Sequence, residues 1–376
     1  MEPFKHRFGA DLVRTVGAHL RRAWPRFPQA DFERQALAGL DVLELKARVD
    51  HVATALQATL PARFPDAADV LEHSLAPPRA DTDLSALVPG PNGLAGWAVW
   101  ALGEFVARQG LAAPERALRC LHALTQRFTA EFAIRPFVLA HPELSFATLR
   151  RWTTDDSAHV RRLVSEGSRP RLPWGIRLQP LVVDPRPTLP LLEALQDDPS
   201  DYVRRSVANH LNDIGKDHPD LFAAWLERHL PDAPAARRAL LKHASRTAIK
   251  RGEPRVLAAW GLDRPLRGAA TLRITPRAAA VGDTIELAVT LRSTAARAQR
   301  LVVDYVVHRV TASGGTSPKV WKGWSLTLAP REVRELSKRH SLKPVTTRRD
   351  HPGRHAVDVL VNGRVVARGA FVLRAR

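Results

Sequence analysis

The residues with the clearest chemical potential lie in one run, from Trp152 to Trp174. Between its two tryptophans the run holds three carboxylates and four arginines: Asp155, Asp156, Glu166, Arg161, Arg162, Arg169 and Arg171. Guanidinium groups bind phosphate oxygens in pairs, whereas indole faces and carboxylates attract cations. A site that mixes these groups suits a cationic group carried on a polyanion, and an alkylated base in DNA has this character.

The distribution of charge also favours a polyanionic partner. The chain carries a net charge of +19. Residues 267–376 hold 21 basic and 7 acidic side chains, so most of that charge falls on the last third of the chain. Such an imbalance is typical of proteins that bind nucleic acid or an anionic membrane. A basic surface that only keeps the protein soluble is the alternative.

Composition excludes several classes of protein. At 376 residues the chain has room for two or three domains, and its single cysteine, Cys120, excludes an internal disulfide. No apolar leader or membrane-length apolar stretch occurs, so we expect a cytoplasmic protein that associates with the nucleoid when bound to DNA. Metal-binding and nucleotide-binding motifs are missing, so we predict no metal and no cofactor.

Residues 1 to about 262 have a helical pattern. Apolar residues recur three or four positions apart, first at Leu37, Leu40 and Leu43 and then at Val52, Leu56 and Leu60. Proline and glycine separate the periodic runs, as in Pro89-Gly90-Pro91. Helices paired by short turns predict an α-solenoid.

An internal repeat supports the solenoid. The residues from Asp155 to Arg162 recur from Asp197 to Arg205, an offset of 42 to 43 positions, and a weaker copy ends at Arg238. This period is typical of HEAT-like helix pairs. In each copy an Asp or Ser is a candidate helix cap, and an arginine pair follows. These arginines either form a basic stripe along the stacked repeats or pair with acids of a neighbouring repeat.

After Leu262 the pattern changes to short strands. Seven segments of β-branched and apolar residues are separated by turn residues, among them the hairpin pair Asn362-Gly363. Leu301, Val303, Tyr305 and Val307 place an apolar set on one strand face. The sequence therefore predicts a multidomain protein, with an all-α HEAT-like solenoid over residues 1–264 and an all-β immunoglobulin-like sandwich over 268–376.

Several segments resemble a known family. They are Glu131–Phe137, His159–Trp174, Leu240–Gly252, Ser317–Lys322 and Asn362-Gly363. The chain is similar throughout to the AlkC group of DNA alkylation-repair glycosylases, relatives of AlkD. The resemblance implies base excision of cationic N-alkylated bases such as 3-methyladenine and 3-methylcytosine from double-stranded DNA. It also implies that the damaged base stays in the helix instead of being flipped into a pocket.

We predict that Glu131, Glu166 and Trp174 carry the chemistry, with Asp156 and Trp152 as secondary candidates. A carboxylate or an indole face stabilises the positive charge that develops on the deoxyribose as the base departs. Each residue has a structural alternative. Glu131 can pair with Arg135 on a helix, Glu166 can be an exposed helix end before a Gly167 cap, and Asp156 can be an N-cap. Trp152 can belong to the core.

The predicted DNA-binding residues fall in two groups. In the helical region they are Arg161, Arg162, Arg169, Arg171, Arg204, Arg205, Arg246, Lys250 and Arg251. In the sandwich they are Lys319, Trp321 and Lys322, in the loop and strand after Gly314-Gly315, and Arg348 and Arg349, before Pro352-Gly353. We expect loops at one end of the sandwich that carry these groups to grip the opposite strand or enter the minor groove. An ordinary basic loop is the alternative for the second group.

Two further expectations concern activity and assembly. No lysine stands near the candidate site in the sequence, so we predict hydrolysis without lyase activity. We also predict a monomer, because DNA would fill the concave face. The alternative function is a non-catalytic HEAT-like scaffold that binds DNA or a protein through a basic face, and such a scaffold does not need Glu131, Glu166 or Trp174.

Overall fold

The computed structural model describes residues 4–79, 83–344 and 350–374. Within these ranges, sixteen α-helices precede eight β-strands. The helices are α1 (Ala10–Ala23), α2 (Gln29–Leu37), α3 (Leu45–Thr59), α4 (Phe64–His73), α5 (Ala98–Gln109), α6 (Pro114–Thr125), α7 (Arg135–Ala140), α8 (Pro142–Trp152), α9 (Ala158–Gly167), α10 (Gln179–Val183), α11 (Leu189–Leu195), α12 (Asp201–Asp217), α13 (Pro219–His229), α14 (Ala235–Ala244), α15 (Arg246–Arg251) and α16 (Pro254–Ala259). The strands are β1 (Gly268–Thr275), β2 (Ala278–Ala280), β3 (Thr284–Ser293), β4 (Gln299–Val310), β5 (Thr316–Leu328), β6 (Val333–Ser341), β7 (Gly353–Val361) and β8 (Arg364–Arg374). This order confirms the predicted succession of an all-α and an all-β region.

By packing, the chain divides into two compact units. The first comprises Met1–Ile214 and Ala235–Leu240, and the second comprises Gly215–Pro234 and Leu241–Arg376. The change from helices to strands therefore lies inside the second unit. In the ranges that the structure describes, every helix lacks the length or the apolar character of a membrane-spanning segment.

The first helices follow the apolar spacing only in part. Val52 and Leu56 are buried on α3 as the pattern predicts. Leu37, Leu40 and Leu43 do not lie on one helix. Helix α2 ends at Leu37, and Gly39 adopts a left-handed conformation (φ 71°) that prevents its continuation. A short 3-10 turn, Leu40–Val42, follows it. A residue with a side chain would be strained at this φ, so glycine sets the break.

The predicted repeat is present in atomic detail at the starts of α9 and α12. Asp155 Oδ1 accepts a hydrogen bond from the backbone N–H of Ser157, and Asp198 Oδ1 accepts one from Ser200 at the same spacing. Both aspartates thus form the turn that leads into a helix. The structural alternative for Asp156, an N-cap of α9, was wrong: the N-cap residue is Ser157, and Asp155 makes the turn before the helix.

The first arginine of each pair is also equivalent in the two repeats. Arg161 Nη1 donates to the carbonyls five and six residues before it, and Arg204 Nη1 does the same. Arg161 in addition lies 2.6 Å from Oδ2 of Asp198, in the next repeat. The same guanidinium therefore fixes its own turn and joins it to its neighbour.

The strands form two packed sheets with orders β1-β3-β6 and β2-β8-β7-β4-β5. The predicted inward face of β4 is confirmed, because its four apolar residues are all buried. Asn362 (φ 50°) and Gly363 (φ 75°) form the predicted hairpin turn between β7 and β8, and both have the positive φ that this two-residue turn requires. Strand β2 was not predicted, because three consecutive alanines carry no strand pattern.

Candidate active site

Glu131 lies in the turn between α6 and α7, so the prediction of a position inside a helix was wrong. It is 9% exposed. Its Oε2 accepts a hydrogen bond from Thr129 Oγ1 (2.9 Å) and lies 2.5 Å from Nη1 of Arg162. Arg135, the partner considered from the sequence, instead donates to two backbone carbonyls. The cation that holds Glu131 therefore comes from α9.

Glu166 lies in the last turn of α9 and is 5% exposed, so it is not an exposed helix end. Its Oε1 lies 2.5 Å from Nη1 of Arg169 and 3.7 Å from Nη2 of Arg162. Its Oε2 accepts a hydrogen bond from Ser206 Oγ at 2.6 Å. Both oxygens of this buried carboxylate are thus satisfied, as burial of a charge demands.

Gly167 is needed for packing and does not cap the helix. It is the last residue of α9, and the C-cap position is Ser168. A Cβ on Gly167 would come within 2.6 Å of Cγ2 of Ile134, in the turn that carries Glu131. The missing side chain lets the Glu166 end of α9 approach the Glu131 turn.

A third carboxylate, Asp213 of α12, belongs to the same group and was missed by the sequence interpretation. It is fully buried, and its Oδ2 accepts a hydrogen bond from Arg169 Nε at 2.8 Å. The order Glu131–Arg162–Glu166–Arg169–Asp213 forms one line of alternating charges, which we call the carboxylate row. A signal was present in the sequence, since Ser206, His210 and Asp213 put polar groups at i, i+4 and i+7 of a helix, where core residues are expected.

The electrostatics keep Glu166 ionised. Burial alone would raise the pKa of its carboxyl, but the charges of Arg162 and Arg169 and the Ser206 hydrogen bond outweigh it and hold that pKa below its usual value. Burial likewise opposes the charge of Arg162, and the opposite charges of Glu131 and Glu166 raise its pKa instead. Glu166 and Arg162 therefore hold each other in their charged forms.

Trp174 stands in the loop after α9 and is 66% exposed. Its φ of 64° is unusual for a residue with a bulky side chain and indicates local strain. The loop is held by Arg135, which is fully buried. Its Nη1 donates to Gly167 O (3.0 Å) and its Nε to Ile176 O (2.6 Å), so it joins the end of α9 to the far side of the tryptophan loop.

Lysine does approach this loop, contrary to the sequence-based expectation. Nζ of Lys46, on α3, lies 3.5 Å from the carbonyl oxygen of Trp174. The two residues are 128 positions apart, so spacing along the chain held no sign of the contact.

The secondary candidates have different surroundings. The ring of Trp152 is largely buried and packs on the His122 ring at a centroid distance of 5.4 Å. His122 Nε2 lies 2.7 Å from Oδ2 of Asp155. Asp156 is exposed, and its carbonyl accepts a hydrogen bond from Arg161. This packing favours the structural alternatives that the sequence left open for Trp152.

Comparisons with known proteins extend over the whole chain. Residues 128–250 match the family described as DNA alkylation repair enzyme, and residues 268–375 match the C-terminal Ig-like domain of the uncharacterised protein YhaZ. The uncharacterized protein YhaZ of Bacillus subtilis (strain 168) is 34% identical over 367 residues, which cover 97% of this chain and 98% of the relative. The solved structure of the Pseudomonas fluorescens alkylpurine DNA glycosylase AlkC, bound to DNA containing an abasic site analog, is 34% identical, covers 100% of both chains and has a TM-score of 0.90. The chain belongs to the AlkC-type family of DNA alkylation repair enzymes.

Membership of the AlkC-type family confirms both the resemblance and the fold class inferred from the sequence. The carboxylate row and Trp174 all fall within residues 128–250, the part that matches the repair-enzyme family. The Ig-like match covers β1 to β8.

Three of the arginines predicted to bind DNA pair with buried carboxylates in this AlkC-type chain, and a fourth, Arg204, pairs with the exposed Asp201 (3.3 Å). Arg161 pairs with Asp198, Arg162 with Glu131 and Glu166, and Arg169 with Glu166 and Asp213. Arg162 also lies over the ring of Tyr202, 5.3 Å from its centroid. These guanidinium groups already neutralise buried acids. Arg162 and Arg169 hold the carboxylates of the site, and Arg161 joins one repeat to the next.

The remaining helical candidates lie nearer the solvent. Arg205 and Arg251 are exposed, whereas Arg171, Arg204, Arg246 and Lys250 are half-buried. Arg251 Nη1 donates to the carbonyl of Lys216, and Arg246 Nη1 to that of His243. In the second unit, Lys250 and Lys322 both interact electrostatically with the carboxylate of Asp304, on β4. These two candidates therefore lie near the same carboxylate.

In the sandwich, Lys319, Trp321 and Lys322 all lie on the edge strand β5. The indole of Trp321 stacks with Tyr305 (6.5 Å) and meets His340 edge-on (4.9 Å), so it closes the side of the core. Lys319 is exposed, with Nζ 4.5 Å from the indole centroid, and Lys322 is exposed. Arg348 and Arg349 lie outside the described residues.

Proposed function

We propose that this chain is a DNA glycosylase that removes cationic N-alkylated bases, of the 3-methyladenine and 3-methylcytosine class, from double-stranded DNA. The observation that carries the proposal is the carboxylate row, in which Glu131 and Glu166 from separate elements share one arginine. The AlkC-type relationship and the neighbouring tryptophan loop support it. The relative of known structure is an alkylpurine DNA glycosylase bound to abasic DNA.

The chemistry requires little beyond charge. Alkylation makes the base cationic, so the electron pair of the breaking C1′–N bond leaves with the base and neutralises it. The deoxyribose then carries the positive charge in the transition state, as a sugar does in glycoside hydrolysis. A water oxygen attacks C1′ and passes its proton to the carboxylate of Glu131. Carboxylates fixed beforehand stabilise that sugar without reorganising at the moment of reaction.

Glu131 is the group that we assign to the water and the sugar. Only its Oε2 takes part in the contacts to Thr129 and Arg162, and its Oε1 carries no hydrogen bond in the described part of the chain. Both oxygens of Glu166 are already engaged. Glu131 therefore retains lone pairs for an incoming water, whereas Glu166 orients Arg162 and adds negative charge behind it.

Trp174 supplies the aromatic face. An indole attracts a nearby cation by about 0.5–2 kcal/mol. Its 66% exposure suits a side chain that meets the sugar from the backbone side and leaves the base in the stack. We assign phosphate binding in the helical region to the candidates nearer the solvent: Arg171, Arg204, Arg205, Arg246, Lys250 and Arg251. Lys319 and Lys322 have the same assignment in the sandwich.

The function is tested with duplex oligonucleotides that carry one 3-methylcytosine or 3-methyladenine. Alkaline cleavage at the lesion, absent from an undamaged duplex, supports a glycosylase. DNA binding without cleavage above buffer would favour the non-catalytic scaffold and contradict the proposal.

We propose further that the reaction is hydrolysis without a lyase step. A lyase needs an amine that attacks C1′, and Lys46 lies beside the Trp174 loop. Borohydride present during turnover traps such an amine on DNA. No covalent complex is expected, whereas a trapped complex that Lys46→Gln removes would contradict this part of the proposal.

A further inference from the structure

A depression of about 540 Å³ lies at one end of the sandwich in the second unit. The segment before β1 and the β3–β4 turn form its sides, and Asn362 lies at its edge. Four arginines line it, namely Arg264, Arg267, Arg297 and Arg300. We refer to these four residues and the space between them as the arginine depression.

The charge of the arginine depression is not neutralised within the protein. All four arginines are exposed, and within the part of the chain that the structure describes none of them forms an ion pair. Asp263 supplies the single carboxylate among the described lining residues. This contrasts with Arg161, Arg162 and Arg169, whose guanidinium groups are all paired. Four like charges gathered around one carboxylate repel one another, and an anion bound between them relieves that repulsion.

The backbone under these arginines is fixed by two side chains. Asn362 is 2% exposed, and its Nδ2 donates to the carbonyls of Arg264 (2.9 Å) and Arg300 (3.4 Å). Gln299 Oε1 accepts a hydrogen bond from Arg267 N (2.8 Å), and its Nε2 donates to Arg267 O (3.1 Å). Because the backbone is already ordered, a bound anion has to order only the side chains.

We propose that the arginine depression binds backbone phosphates of the DNA, away from the damaged base. Guanidinium forks match phosphate oxygens in pairs. The described lining contains no aromatic side chain, which a surface that stacks bases or anchors in a membrane would use. Contacts of this kind position a duplex without reading its sequence. The inference rests on the proposed function only for the identity of the polyanion.

This surface is distinct from the basic residues on β5. Lys319 pairs with Val307, eight residues along β4 from Gln299. At a rise of about 3.4 Å per residue the two places are roughly 27 Å apart. That exceeds the screening length of about 10 Å at 0.1 M salt, so the two surfaces bind phosphate independently.

The test is the salt dependence of binding to an undamaged 30-base-pair duplex by the full chain. Each phosphate contact contributes about 0.9 to the slope of log K against log salt. The double variant R264Q/R300Q is expected to lower the magnitude of that slope by about 1–2. A matched control, R339Q/R374Q, removes two exposed arginines elsewhere in the sandwich and is expected to change the slope by less than half as much. Thermal unfolding of both variants verifies that they fold.

Two results would overturn the inference. One is an unchanged slope for R264Q/R300Q, or an equal change for the control pair, which would indicate only a general effect of charge. The other is a loss of heparin binding with an unchanged DNA slope, which would assign the surface to a different polyanion. Binding of undamaged DNA does not require excision. If the original chain does not excise alkylated bases but R264Q/R300Q still lowers the salt slope of DNA binding, the glycosylase proposal is contradicted and the phosphate-binding proposal stands.

Discussion

Arg162 Nη1 lies 2.5 Å from Oε2 of Glu131, although 31 residues separate them along the chain. Nη2 of the same guanidinium lies 3.7 Å from Oε1 of Glu166, one turn further along α9. One rigid, planar cation thus sets the positions of two carboxylates on different elements. The predictions that follow depend on this arrangement and on the groups packed against it.

The hydrogen bond from Ser206 to Glu166 should affect the pH at which activity is lost on acidification. Ser206→Ala removes one of the interactions that keep the pKa of Glu166 below its usual value. A hydrogen bond to a charged group contributes about 1.5–3 kcal/mol, so the acid limb of the pH–rate profile should move up by about one unit. Single-turnover excision between pH 3 and 7 measures it. Ser145→Ala, at another buried serine, is the control, and a limb that does not move would disconnect Glu166 from the reaction.

His210 should make folding sensitive to mild acid. It is fully buried, and burial lowers its pKa to about 4. Between pH 6.5 and 4 the His210 imidazole binds a proton in the unfolded chain but not in the folded chain. The free energy of unfolding should therefore fall as pH decreases through this window, by on the order of 3 kcal/mol, and be constant above it.

Urea unfolding of His210→Asn at several pH values checks the assignment. The variant should lose most of the decline between pH 6.5 and 4, with a remainder from His19 and His159, whose pKa values burial also lowers. His73→Asn, at an exposed histidine, should keep the full decline. If both variants decline like the original protein, another group is responsible.

Arg135 should act on catalysis through the tryptophan loop. It joins Gly167 to Ile176 on either side of Trp174, and a lysine there can reach only one of the two carbonyls. Arg135→Lys should lower the single-turnover rate about tenfold, since small misplacements of a reacting group are costly, with DNA affinity unchanged. Arg48→Lys is matched, because Arg48 is a buried arginine that likewise binds backbone carbonyls. An equal loss of rate in both variants would mean that Arg135 only stabilises the fold.

Trp174 should contribute through its ring. Trp174→Ala should slow excision about tenfold, in line with the 0.5–2 kcal/mol of an indole–cation contact, and Trp174→Phe should recover part of the rate. Trp152→Phe, on α8, should leave the rate nearly unchanged. A rate that does not differ between Trp174→Ala and the original protein would remove the indole from the mechanism.

The strands and the repeat were predictable because their signals are local. Asn362-Gly363 adopts the two positive φ values that such a pair favours. Asp155 and Asp198 repeat one turn at 43 positions' distance. Strand β2 escaped prediction because Ala278–Ala280 has neither alternation nor β-branching, and only its pairing with β8 makes it a strand.

Site partners were harder to predict, because they depend on which distant elements meet. Glu131 was identifiable as a carboxylate in apolar surroundings, and Glu166 as a carboxylate of the run from Trp152 to Trp174. The sequence suggested Arg135 as the partner of Glu131 by helical spacing, yet that segment is a turn, so the spacing does not apply. Asp213 lies 44 residues along the chain from its partner Arg169, and Lys46 lies 128 residues from Trp174. No short-range sequence pattern predicts contacts over such separations.

The most direct test of the proposed mechanism compares Glu131→Gln with the original chain on a duplex containing 3-methylcytosine. Glutamine keeps the shape of the side chain and removes its charge, so DNA affinity should stay within about twofold. Single-turnover cleavage should fall by a factor of about 10² to 10³, as for the loss of one electrostatic group in a preorganised site. Cleavage at the original rate with intact binding would contradict the assignment of Glu131 to the departing base and its sugar.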